Sequence, residues 1–191
     1  MSKGRLEAFS DGVIAILITI MVLELKVPRG EGWEALKPLG HAFSTYVLSF
    51  IYLGIYWNNH HHMFHATDRI DGRILWANLH LLFWLSLVPV TTGWVGDSHL
   101  APLPTAVYGI DLLLAAIAYT ILQAAITAHQ GAGSRLAAAV GSDRKGKVSL
   151  ALYATGIAMA FVQPWISAAI YVLVALIWLV PDRRIERVLS R

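Results

Sequence analysis

Ionisable and strongly polar side chains stand out in this chain, because long apolar runs surround them. The first run begins with Arg5, Ser10 and Asp11. Asn58, Asn59 and His60 end the second, Asn78 and His80 open the third, and Asp111 lies in the fourth. A charge at membrane depth is costly, so such residues pair with one another or serve a pathway. Ser10-Asp11 fits either a helix N-cap or part of a buried polar knot. In the knot, the clusters around Asp11, Asn78/His80 and His60 stand at a similar depth and satisfy one another, with Asp11 accepting from His80, Asn78 or a Ser/Thr near them and Arg5 closing the cytoplasmic end. Asp111 fits either a proton relay or a hydrogen-bonded contact, to Tyr108 or to a neighbouring helix.

Other chemistries find less support. His61 and His65 share a helix face, but no HExxH pattern accompanies them, and no metal site is expected. His41 and His80 could ligate a haem only by bridging opposite leaflets. The chain has no Cys, which excludes a thiolate metal site and a Cys nucleophile. Phosphate loops, a nucleophile elbow and nucleic-acid motifs are missing from the sequence. No cofactor, no catalysis and no nucleic-acid partner are expected.

The elements that must position these residues follow from composition. Of 191 residues, 57% are hydrophobic and 14% charged; soluble domains carry about 25% charged residues. The mean hydropathy is +0.58. Together these point to a single all-α domain over residues 1–191, a bundle of six transmembrane helices with the bilayer as its solvent. Spanning segments are expected at about 5–25, 39–58, 74–95 and 103–128, the third kinked by Pro89 and the fourth started by Pro102 and Pro104. Residues 148–180 carry no formal charge. One straight helix of that length would reach ~50 Å, too long for a ~30 Å hydrocarbon core. Gln163-Pro164 therefore marks a turn between two short helices. No small-residue cleavage site follows the first apolar run, so no removable signal peptide is expected.

Charge sets the orientation. The chain carries 15 Lys and Arg. With the N-terminus inside, only Lys26, Arg29 and Lys37 fall in outer segments and the other twelve fall inside, the positive-inside pattern of a multi-pass protein of the cell membrane with both termini in the cytoplasm. In the first helix the uncharged stretch, residues 12–23, spans only about 18 Å. That suits a helix sheltered within an assembly. Gly12, Ile16, Thr19/Ile20 and Leu23 recur at helical spacing on one face, which periodicity alone leaves open between core, lipid and pore. Glu24, at the end of this helix, either pairs with Lys26 or draws cations to a mouth.

Arg5-x-x-x-Phe9-Ser10-Asp11-Gly12, followed by Ala15-Ile16 and Thr19, resembles the first-helix signature of the transmembrane-protein-175 family of potassium channels. Tyr56-Trp57-Asn58-Asn59-His60-His61, the Asn78…Pro89 segment and the chain length are similar too. The specific motifs cover about the first 95 residues. The resemblance implies a homotetramer that passes potassium ions through a pore lined by four first helices. It has no re-entrant carbonyl filter, and this sequence has no Thr-Val-Gly-Tyr-Gly run. The family's hydrophobic constriction falls on Ile16, with Ile20 and Leu23 as further pore-facing positions, and Thr19 matches its hydroxyl-bearing position. Branched side chains in a ring gate by excluding water, and Gly12, lacking a Cβ, is the candidate pivot. The rival readings are a proton-coupled secondary cation transporter using Asp111 and the histidines, and a haem or metal membrane oxidoreductase.

Overall fold

The computed structural model describes residues 2–67, 69–131 and 143–179. These residues form six α-helices and no strands: α1 Lys3–Met21, α2 Gly40–His65, α3 Gly72–Asp97, α4 Pro102–Gln130, α5 Arg144–Met159 and α6 Pro164–Leu179. Four segments, Lys3–Glu24, Trp33–His65, Gly72–Asp97 and Pro102–Gln130, are long and apolar enough to cross a membrane. The chain is a membrane protein of the expected six-helix, all-α class. Arg135, Arg183, Arg184, Arg187, Arg191 and residues 132–134 of the long connector lie outside the described residues.

Local chemistry sets most boundaries. Asp71 caps α3 by accepting from the Ile74 amide at 2.9 Å. Pro102 opens α4 at a position where the missing N–H costs nothing. Asp143 caps α5 by accepting from the Gly146 amide at 3.1 Å. Between α5 and α6 the chain turns at residues 160–163, and Pro164 starts the new helix, so the expected hairpin is present. Helix α2 continues to His65, seven residues past the expected end, because 59–65 remain apolar or aromatic enough to pack; Met63 and Phe64 are fully buried. A 3-10 turn, Val22–Glu24, ends α1, and another, Trp33–Leu39, leads into α2. Pro89 is buried inside α3, which runs through it.

Helix α1 packs on α3 and α2, and α4 joins α3 to the α5–α6 hairpin. At 16 residues each, α5 and α6 reach only about 24 Å as described, short of the ~30 Å core. They rely on tight packing. The Tyr171 ring lies where Gly109 of α4 and Gly156 of α5 have no side chain; a Cβ at either position would overlap it. The Tyr171 hydroxyl donates to the Thr105 carbonyl at 3.3 Å, and Tyr52 of α2 donates to the Tyr171 carbonyl. This aromatic centre is the core of the hairpin side of the bundle.

Candidate pore helix and its polar anchor

Helix α1 has two distinct faces. Leu6, Ser10, Ile14, Leu17 and Met21 are buried against the bundle. Arg5, Phe9, Gly12, Ile16, Thr19, Ile20 and Leu23 are exposed on the single subunit, Ile16 at 56% and Leu23 at 77%. Every position that the sequence marks for the pore thus lies on the face turned away from the subunit's own core. The Thr19 hydroxyl donates to the Ile16 carbonyl at 2.9 Å. Its hydrogen is therefore committed, and the oxygen retains lone pairs on an exposed face. Around Gly12 nothing lies within 4 Å of where a Cβ would be. Its small size is not needed for packing within the subunit.

One chain of hydrogen bonds anchors the buried face. His60 of α2 meets Asn78 Oδ1 of α3 at 2.7 Å. Asn78 Nδ2 donates to Ser10 Oγ at 2.9 Å, and the Ser10 hydroxyl donates to the Leu6 carbonyl at 2.9 Å. Because the amide oxygen only accepts, His60 must hold its proton on Nε2. Three helices are tied by polar groups with no mismatch between donors and acceptors, as a low-dielectric interior requires.

This arrangement corrects the expected knot in three places. Asp11 does not accept from Asn78 or His80; its carboxylate takes the Trp57 indole N–H of α2 at 3.0 Å. His80 points to the exposed side of α3 and accepts from Trp84 at 2.9 Å. Arg5 is exposed and makes no ion pair among the described residues, so it does not close the network within one subunit. The physical reason is rotation: Ser10 and Asp11 are about 100° apart on a helix, and Asn78 and His80 about 200°. Only one of each pair can face the same neighbour. The sequence does not single out Trp57 as the partner of Asp11, although an indole N–H can only donate and suits a carboxylate.

At the other end of α1, Glu24 is exposed, with its carboxylate 3.4 Å from where a Gly93 Cβ would be. Lys26 pairs with Asp97 at 2.8 Å instead of with Glu24. Asp111 is buried and accepts from Thr91 of α3 at 3.0 Å, so its contact is with a neighbouring helix and not Tyr108. His61 and His65 are exposed and stacked, with ring centroids 6.1 Å apart. His41 packs with His99 and Trp165, and His80 with Trp84. Outside the spans, Asp71 also meets His129 at 3.4 Å. The Ile74 amide holds the Asp71 carboxyl below the usual carboxylate range, partly opposed by desolvation and helped to a lesser extent by His129.

Comparison with known proteins agrees with this architecture. The family described as "Endosomal/lysosomal potassium channel TMEM175" matches residues 5–89, which include most of α1 and the whole anchor. A Chryseobacterium protein described as "Potassium channel HX13_20290" is 58% identical over 190 residues, covering all of this chain and 99% of that one. A Chamaesiphon minutus protein described as "Potassium channel Cha6605_3372" is 30% identical over 187 residues, covering 91% of each. A crystal structure of a "lysosomal potassium-selective channel TMEM175 homolog" from Chamaesiphon minutus superposes with a TM-score of 0.82 at 28% identity, over 94% of this chain and 97% of that one. With a relative 58% identical along its whole length, a family match over residues 5–89 and the same fold as a solved homologue, this chain belongs to the TMEM175 family.

Proposed function

We propose that the chain is one subunit of a potassium-permeable channel in the cell membrane. Four copies assemble with their α1 helices around a common axis, and potassium ions flow passively between them. The observation that carries this reading is the outward α1 stripe of Gly12, Ile16, Thr19, Ile20 and Leu23, opposite a face anchored through Ser10 to α3 and α2. A helix held so firmly on one side presents the other in fixed register to its partners.

In this reading four Ile16 side chains form the constriction, with Ile20 and Leu23 beyond it. They block by excluding water from a narrow apolar neck. Thr19 oxygens, oriented by the bond to Ile16, replace part of a potassium ion's water shell. Four Glu24 carboxylates raise the local cation concentration at the mouth. Both termini lie in the cytoplasm, as the basic residues indicate. No cofactor and no catalytic step take part.

The family's description as a channel weighs against the transporter reading. His41 packs with His99 while His80 accepts from Trp84, which weighs against a haem shared by these two histidines. Planar-bilayer recording of the purified protein under opposed potassium and sodium gradients tests the proposal. Unitary currents reversing toward the potassium equilibrium potential are expected, from particles with the mass of four chains. Saturable flux without unitary currents would overturn it.

A further inference from the structure

Apart from the pore helix, the described residues contain one buried side chain with an unanswered polar atom. Asp111 is 4% exposed, and its Oδ1 has no hydrogen-bond partner. Oδ2 receives a single bond, from Thr91. The residue lies nine positions into α4 after Pro102, about 14 Å along the helix axis.

The groups that face it come from every neighbouring element. Helix α3 offers the Thr91 hydroxyl. Tyr56 of α2 and Tyr108 on α4 itself are within electrostatic reach. Tyr153 of α5 is directed to Tyr52 and Tyr56, and Tyr171 of α6 to Tyr108. No Lys, Arg or His among the described residues forms an ion pair with Asp111. An ionised carboxylate offers about four acceptor sites; here one donor reaches it. A metal cation is a poor answer, since a calcium-like ion takes about 6–8 oxygens. A proton removes the buried charge without calling for further ligands, and a neutral carboxyl asks for fewer donors than a carboxylate.

A cleft opens one helical turn from the site. A cleft of about 460 Å³ lies between the start of α2, the α3–α4 turn and α6, lined by His41, Thr45, Leu48, Thr105, Tyr108 and Tyr171 among others. Tyr108, one turn before Asp111 on α4, shares its hydroxyl with Ser49 at 2.9 Å, and Ser49 accepts from Thr92 at 2.6 Å. The cleft therefore carries the hydroxyls of Thr45, Thr105, Tyr108 and Tyr171 on its wall, and Tyr108 is the lining residue within electrostatic reach of Asp111.

Thr91 makes the site responsive. Its single hydroxyl hydrogen has three acceptors in range: Asp111 Oδ2 at 3.0 Å, Val88 O at 3.2 Å and Leu87 O at 3.3 Å. An ionised Asp111 takes that hydrogen. A protonated Asp111 can donate its own to Thr91 Oγ1, which then turns its hydrogen to the α3 backbone beside Pro89.

We propose that Asp111 is a reversible proton-binding site, reached from the cleft at the α3–α4 turn, whose loading hands the Thr91 hydroxyl from the carboxylate to the α3 backbone. A hydronium ion in the cleft gives up its proton to the carboxylate and leaves as water, so the charge and atoms balance. Helix α3 is the element on which α1 is anchored through Asn78. The proton is thereby placed one helix away from the proposed ion path and not within it.

Infrared difference spectroscopy of the reconstituted full-length protein, titrated from acid to alkaline pH, tests this without measuring ion flux. A protonated-carboxyl C=O band that vanishes on alkalinisation is expected in wild type and is lost in Asp111→Asn. Superimposable wild-type and Asp111→Asn spectra overturn the proposal. Thr91→Val keeps the carboxyl and removes its donor, so the band shifts and persists to more alkaline pH; a band unchanged by Thr91→Val overturns the transfer. If Asp111→Asn does not fold, the Thr91→Val comparison decides alone. Leu48→Trp fills the cleft and should slow hydrogen–deuterium exchange of the band several-fold; an unchanged rate overturns the route. Failure on any arm leaves the channel reading standing, and failed bilayer recordings leave this one standing.

Discussion

Thr19 donates its hydroxyl hydrogen to the carbonyl of Ile16, one turn earlier on the exposed face of α1. The residue proposed to block the pore and the residue proposed to choose the ion are thus joined by a bond that fixes the hydroxyl's direction. Thr19→Val keeps the branched shape and removes the oxygen. Potassium preference over sodium should fall while the blocking ring remains. Reversal potentials under a potassium/sodium gradient check this, and an unchanged potential would remove Thr19 from selectivity.

The anchor should matter for stability before it matters for conduction. Asn78→Leu leaves the buried His60 Nε2–H without an acceptor and deprives Ser10 of its donor. A buried group left unsatisfied costs about 1–3 kcal/mol. The variant should lose assembled protein and melt lower in detergent, seen by size exclusion after heating. Asp11→Asn keeps an oxygen for the half-exposed Trp57 and should be milder than Asn78→Leu. The reverse order would mean that Asp11, and not the buried chain, holds α1 in place.

Much of this fold was legible because membrane helices announce themselves by length. Uncharged runs gave the spans, and Gln163-Pro164 in an overlong run gave the hairpin. The polar anchor was legible only as a set of residues at one depth. Ser10, Asn78 and His60 were in that set, but so were Asp11 and His80, and depth does not specify rotation. The 100° step between Ser10 and Asp11 decides which faces α3, and it depends on packing of Leu6, Ile14 and Leu17 against the bundle. The pairing of Lys26 with Asp97 was hidden for another reason: it joins residues 71 positions apart. Periodicity within one helix has no access to such a contact.

Asp71 makes one pH dependence explicit. Its folded carboxyl is held below the ordinary value, first by the Ile74 amide. A depressed carboxylate stabilises the fold above its unfolded value, near pH ~3.9, and that contribution fades as pH falls through the folded value. Asp71→Asn keeps a cap acceptor but no charge. The melting-temperature gap between wild type and Asp71→Asn should be constant near neutral pH and close only in strong acid. A gap that closes already in mild acid would show that the folded Asp71 carboxyl is not held below its ordinary value.

Gly109 and Gly156 make a prediction about the hairpin. A methyl group at either position would overlap the Tyr171 ring, which is itself buried at 1% exposure. Overpacking of this kind costs about 1–3 kcal/mol. Gly109→Ala should lower the melting temperature, and adding Tyr171→Leu, which clears the ring, should recover part of the loss. Simple additivity of the two changes, measured as a double-mutant cycle, would show that the two residues do not compete for the same space.

The gate provides the most direct test of the mechanism. Ile16 is 56% exposed on the single subunit, yet an isoleucine facing only lipid would tolerate any apolar replacement and no polar one. In a pore the rule inverts. A polar side chain there wets the neck, because the barrier is water exclusion and not charge. Ile16→Asn should therefore raise the basal potassium current without loss of assembled protein, since the anchor face of α1 is untouched. Ile16→Leu should keep the channel closed at rest. If Ile16→Asn instead destabilises the protein and leaves its current unchanged, the exposed α1 stripe faces lipid, and the conduction path must be sought on another helix.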